Sequence, residues 1–166
     1  ISIDPAVTAN TDSDMTGIVV AGIDVNGIAY VLEDHTDRYT PQQWASKAIE
    51  LYRKHMADRI VAEKNQGGDM VRHTLHTEDE NVPVKLVHAS RGKMARAEPV
   101  SALYEQGKVK HVKGLNDLED QMVQWEPLGS TGSPDRLDAM VWAITDLSLN
   151  GYAKPQLVLA YSNAKG

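Results

Sequence analysis

The 166-residue sequence contains no cysteine and no phenylalanine. Without cysteine there is no disulfide and no thiolate metal site, which fits a reducing compartment. Without phenylalanine the core falls to Leu, Val, Ile, Met and the three tryptophans. No apolar run approaches the roughly 18 residues of a membrane span, and no signal-peptide pattern is visible, so no membrane partner is expected. There is no excess of positive charge either. The net charge of −6 argues against a constitutively basic nucleic-acid-binding module. It leaves room for an enzyme whose acids are neutralised by metal ions. The sequence also lacks an opening methionine and enters a predicted strand at Ile1, which reads as a piece of a longer polypeptide.

Apolar content of 42% and charged content of 24% are ordinary for a globular protein. The length predicts one domain over residues 1–150, followed by a tail, 151–166, that carries Leu157-Val158-Leu159. No repeat or low-complexity tract interrupts it. Ile1 to Asp4 is a short β-prone run, and Thr16 to Ile23 is apolar and β-branched. Asn26-Gly27 is a strong hairpin signal, returning the chain through Ile28 to Glu33. Three antiparallel strands in a meander are therefore predicted. Thr40-Pro41-Gln42-Gln43 has the form of a capping box with proline at the first helical position. That helix runs to about Met56, with Trp44, Ala48, Leu51 and Tyr52 at helical spacing. Arg59 to Glu63 is a buried strand, Asp69 to His76 a helix, Val84 to Val87 a fifth strand, and Lys93 to Gln106 a helix containing Pro99. Val109 to Val112 is a candidate short edge strand. Leu115 to Trp125 and Pro134 to Leu149 are helices, with Ser133 or Pro134 at the cap of the latter.

Three segments place carboxylates at element ends. Asp4 closes the first strand before Pro5. Glu63 closes the fourth and precedes Lys64-Asn65-Gln66-Gly67-Gly68. Asp135 and Asp138 lie just ahead of Met140-Val141-Trp142-Ala143-Ile144, three apart and so on one face if both are helical. A helical crossover between the third and fourth strands lets the fourth run parallel to the first, which sets Asp4 beside Glu63. Taken singly, each acid has a plain explanation as a strand end, a turn or an acid favoured in a first helical turn. Their order along the chain is what favours one acidic cluster.

These residues carry a resemblance. The topology and the acids resemble the RNase H-like, or retroviral integrase-like, nuclease fold: an α/β architecture with a mixed five-stranded sheet, three antiparallel strands then two parallel, flanked by helices. More narrowly, the chain resembles the C-terminal nuclease domain of the large terminase subunit of tailed bacteriophages. The matching segments are Asp4-Pro5-Ala6, Asp14 to Val20, Glu63 to Gly68, Gly92 to Pro99 and Asp135 to Ala139, in the family's order over most of the chain. The resemblance implies a metal-dependent endonuclease that cuts concatemeric double-stranded viral DNA during packaging in the host cytoplasm, with a triad of Asp4, Glu63 and Asp138. Asp135 falls where some members carry a histidine or another acid. The family's motor is an ATPase on a preceding domain of the same polypeptide, and the portal and small terminase subunit are the further partners implied. This chain has no phosphate-binding loop, since Gly129 to Ser133 lacks the lysine, so ATP hydrolysis is not expected.

The chemistry explains the carboxylates. A phosphodiester repels an anionic nucleophile, and two divalent ions can activate water and stabilise the leaving oxygen. Mg²⁺ takes hard oxygen ligands, and Mn²⁺ suits the same set. Asp4 is assigned as the bridging ligand, Glu63 as a ligand to one ion and Asp138 to the other. Asp14 is an accessory acid, while Lys93 and Arg96 are assigned to phosphate contact or transition-state support. Asp12 to Gly17 imitates the start of a calcium loop, but its twelfth position is Ile23, so that reading is set aside. Arg72, His73 and His76 read as a solvated helix face, and Trp44, Trp125 and Trp142 as core stripes. Lys108, Lys110, His111 and Lys113 form a basic run equally suited to a solvated edge or to DNA. The alternatives are another nuclease of this fold, such as a junction resolvase or RNase H, and a non-catalytic module docking on the portal or motor.

Overall fold

The computed structural model describes residues 1–6, 15–64, 68–126 and 133–150. The order is β1 (Ser2–Asp4), β2 (Gly17–Ile23), β3 (Ala29–Asp34), α1 (Pro41–Lys54), β4 (Ile60–Glu63), α2 (Gly68–Glu78), β5 (Val84–Val87), α3 (Lys93–Glu105), β6 (Val109–His111), α4 (Asn116–Gln124) and α5 (Asp135–Ile144). A single π-helical turn, Thr145–Leu149, continues α5. Asp14, the Asn65-Gln66-Gly67 turn and the 151–166 tail fall outside the described residues.

The sheet order is β5-β4-β1-β2-β3-β6. The meander is as expected: β1–β2 and β2–β3 are antiparallel, and β4 pairs parallel with β1, β5 with β4. The sheet has six strands instead of five, because β6 pairs parallel with the outer edge of β3. This is the candidate edge strand at Val109 to Val112, and it joins the sheet. In the hairpin turn, Asp24 Oδ1 accepts from the Asn26 and Ile28 amides at 2.9 and 2.8 Å, and Gly27 takes φ +82°. Thr40 caps α1 with the full reciprocal box to Gln43.

Because successive β2 residues face opposite ways, the strand supplies both layers of core. Ile18 and Val20 pack with Trp44, Leu51 and Leu75, beneath α1 and α2. Val19 packs with Val100, Leu118, Met140 and Ile144, beneath α3, α4 and α5. A bulge places Val20 opposite Glu33 but Ala21 opposite Val31, leaving Leu32 as the extra residue. Beyond it, Asp34 at the end of β3 pairs with Arg136 in the first turn of α5. The other end of the helix is tied by Asp146. It is buried and accepts from Arg59 Nε at 2.8 Å and Lys85 Nζ at 2.6 Å.

Helix α5 lies against β2 because of two small residues. A Cβ on Gly17 would sit 2.1 Å from the Asp135 carbonyl oxygen and 2.9 Å from the Ala139 Cβ. Gly17 is also the partner of Asp4 across the β1–β2 ladder. The bare backbone at this one position sets the separation between the end of β1 and the first turn of α5.

Candidate active site

Asp4 and Glu63 end neighbouring parallel strands whose register pairs Ile3 with Ala62, one residue earlier on each. Asp135 and Asp138 occupy the first turn of α5, which crosses the same end of the sheet. Asp4 is half-buried, whereas Glu63, Asp135 and Asp138 are buried. Four acids drawn from three remote segments thus meet at the carboxyl ends of the central strands.

Their mutual repulsion is visible at Asp4. Burial first, then the neighbouring charges of Glu63, Asp138 and Asp135, push its carboxyl up from the ordinary 3.8 to about 8, against a smaller opposing pull from Lys93. Folded chains therefore hold this proton more tightly than unfolded ones. As pH rises from about 4 to 8 the unfolded state releases it first, and metal-free stability falls over that window. Asp4→Asn removes the effect. In EDTA it is expected to gain on the order of 2–3 kcal/mol over wild type at pH 8 and little at pH 5. Urea unfolding at the two pH values checks this; an equal difference at both would show that Asp4 is not strained by its neighbours.

Two cations from the first turns of α3 compensate the cluster. Lys93 Nζ lies 2.7 Å from Asp138 Oδ2 and donates to Ser133 Oγ at 3.2 Å. Arg96 bridges two acids, donating through Nη1 to Glu63 Oε2 at 3.3 Å and through Nη2 to Asp138 Oδ1 at 3.4 Å. Its Nε is buried with no hydrogen-bond partner among the described residues. Both cations, assigned from sequence to phosphate contact or transition-state support, are bonded here to the carboxylates. Of the two residues offered for the cap of α5, Pro134 occupies it, with no side-chain bond, and its carbonyl accepts from the Asp138 amide at 2.8 Å, while Ser133 meets Lys93.

Sequence reasoning missed Trp142, which it placed in the core. The residue is buried, but its Nε1–H donates to Glu63 Oε2 at 2.6 Å, and the Arg96 guanidinium lies 4.8 Å from its ring centroid. The signal available was its position four residues after Asp138, which puts both on one helix face. The basic run divides. Lys108, Lys110 and Lys113 are exposed around β6, while His111 is engaged by Tyr104 and by Glu119. Arg72 and His73 are exposed on α2.

Among the described residues, no group of three or more carboxylate or imidazole side chains stands ready-made to hold a metal ion. The arrangement is the cation-paired one, with Arg96 and Lys93 bonded to the acids. The donor set nevertheless fits a hard divalent cation. It is all carboxylate oxygen, and the repulsion that adds to burial in raising Asp4 is of the kind such an ion relieves.

A mixed sheet with acids at the ends of adjacent parallel strands, crossed by an acid-bearing helix, is an RNase H-like nuclease fold. Residues 1–147 match the terminase RNase H-like domain, and the chain belongs to that family. The large terminase nuclease from thermophilic phage G20c has the same fold, with a TM-score of 0.67 at 13% identity over 87% of this chain and 80% of that one. RuvC from Thermus thermophilus, in complex with Holliday junction substrate, gives 0.51 at 14% identity over 92% of this chain and 95% of its own. No curated protein sequence matches. Among the described residues no helix is long and apolar enough to cross a membrane.

Proposed function

We propose that this domain is a metal-dependent endodeoxyribonuclease that cuts concatemeric double-stranded viral DNA during genome packaging in the host cytoplasm. The observation that carries this reading is the convergence of Asp4, Glu63, Asp135 and Asp138 on one end of the sheet in a member of the terminase RNase H-like family. Asp4, Glu63 and Asp138 are the residues that would hold Mg²⁺ or Mn²⁺, with Asp135 beside them. When bound, a pair of such ions supplies an activated water and charge relief at the leaving oxygen. Asp4 holds its place because β1 is paired on both sides. Lys93, the more exposed of the two cations, and the largely buried Arg96 keep positive charge beside the acids, where an anionic phosphodiester would approach. The other partners in this reading are the ATPase domain of the same polypeptide, the portal and the small terminase subunit.

The test is cleavage of supercoiled plasmid with Mg²⁺, Mn²⁺ or EDTA, run beside an RNA–DNA hybrid and a four-way junction. Metal-dependent nicking and linearisation of the plasmid is expected, with no preference for the other two. Cutting confined to the junction would replace the packaging reading with a resolvase one. Cutting unaffected by EDTA would remove the metal mechanism.

A further inference from the structure

From the geometry around Glu63 we infer that Trp142 is a positioning residue for the metal site; the inference rests on the nuclease reading above. A carboxylate at the end of a long side chain turns easily, because its terminal torsion is broad and two-fold. At Glu63 that freedom is removed. The Trp142 Nε1–H reaches Oε2 at 2.6 Å in a buried bond, and Arg96 Nη1 adds a weaker one to the same oxygen at 3.3 Å. Neither donor engages Oε1. The carboxylate is thereby held through one oxygen, and neither of these two donors competes with a cation for the other.

The choice of residue matters physically. An indole donates and never accepts, and it does not titrate, so it fixes the carboxylate without adding a charge that would compete with a cation. The Arg96 guanidinium lies over the ring, 4.8 Å from its centroid. Trp142 also lies one turn beyond Asp138 on α5. One helix face thus delivers a site acid directly and orients a second one, from β4, through the indole. Partners of this kind that orient a metal ligand change metal affinity by about 10–100-fold when removed.

Trp142→Phe keeps an aromatic ring on α5 and deletes the donor together with one of the two fused rings. Titrating the metal-free chain with Mg²⁺ calorimetrically, we expect its affinity to fall about 10–100-fold. The Mg²⁺ concentration for half-maximal plasmid nicking is expected to rise by a similar factor, while the rate at saturating Mg²⁺ stays within a few-fold. Asp4→Asn is the companion variant and is expected to lose Mg²⁺ binding. If it binds Mg²⁺ like wild type, the metal-site reading fails and this inference with it. If Asp4→Asn loses binding while Trp142→Phe titrates like wild type, the nuclease reading stands and the role of Trp142 is refuted. A measurement on unaltered protein covers a misfolded variant. The three tryptophans give three indole N–H signals, and the Trp142 signal is expected to move saturably with Mg²⁺ while those of Trp44 and Trp125 stay. An unmoved Trp142 signal at saturating Mg²⁺ overturns the inference.

Discussion

Asp4→Ala and Asp138→Ala are each expected to lower plasmid cleavage at least about a thousandfold, a loss of about 4 kcal/mol in transition-state stabilisation. Their effects on stability are expected to run in opposite directions, which separates a lost ligand from a lost fold. Asp4 is strained by burial and by three neighbouring acids, so its removal relieves repulsion in the metal-free protein. Asp138 is bonded to Lys93 at 2.7 Å and to Arg96 at 3.4 Å. Its removal takes a partner from two cations, one of them largely buried, at a cost of about 1–3 kcal/mol. The measurements are nicking rate at saturating Mg²⁺ and urea midpoints in EDTA at pH 8. Cleavage that persists in both variants would refute this assignment of the site and point to another centre.

Gly17→Ala is expected to be as damaging as a direct hit on the acids, although residue 17 carries no side chain to lose. The new methyl group would stand 2.1 Å from the Asp135 carbonyl oxygen, and backbone cannot swing aside as a flexible side chain can. Helix α5 must back away from β2, carrying Asp135 and Asp138 away from Asp4. Overpacking of this kind costs on the order of 2–4 kcal/mol. A displacement of about 1 Å at a reacting centre costs about a hundredfold in rate. Gly22→Ala is the control in the same strand. Its Cβ would meet only Leu32 Cδ1, at an ordinary 3.9 Å, and the effect is expected to stay within about 0.5 kcal/mol. Melting temperature and cleavage rate, measured on both, decide the matter; equal effects would show that strand propensity dominates.

Much of this arrangement is legible in the residues because local chemistry dictates it. The Thr40–Gln43 box, the Asn26-Gly27 turn and the apolar strands each have one favourable backbone solution. Their order then leaves few ways to connect them, and the adjacency of Asp4 and Glu63 follows from a parallel crossover. What was not legible depends on tertiary direction. Lys93 and Arg96 have long stems, and nothing nearby in sequence tells whether their heads turn outward to phosphate or inward to Glu63 and Asp138. Trp142 shares the helical spacing of a core tryptophan, as Trp44 does, and periodicity is blind to the one polar atom on the ring. Val109 to Val112 was legible as a short edge strand, but not its place beside β3, where the Tyr104–His111–Glu119 contacts link α3, β6 and α4. Those contacts appear only once the helices have packed.

The acids come from the first strand, the fourth strand and the final helix, and this bears on when a growing chain becomes active. Synthesis runs from β1 toward α5, so the ribosome releases Asp4 and Glu63 well before Asp135 and Asp138. Until α5 emerges, the core on the Val19 face of β2 lacks Leu137, Met140 and Ile144, and the acid cluster is incomplete. Long-range pairings of this kind close late in folding. A nascent chain that stops before α5 carries only two of the four acids. On the proposed function, competence to cut DNA would thus be acquired only once α5 docks across the sheet.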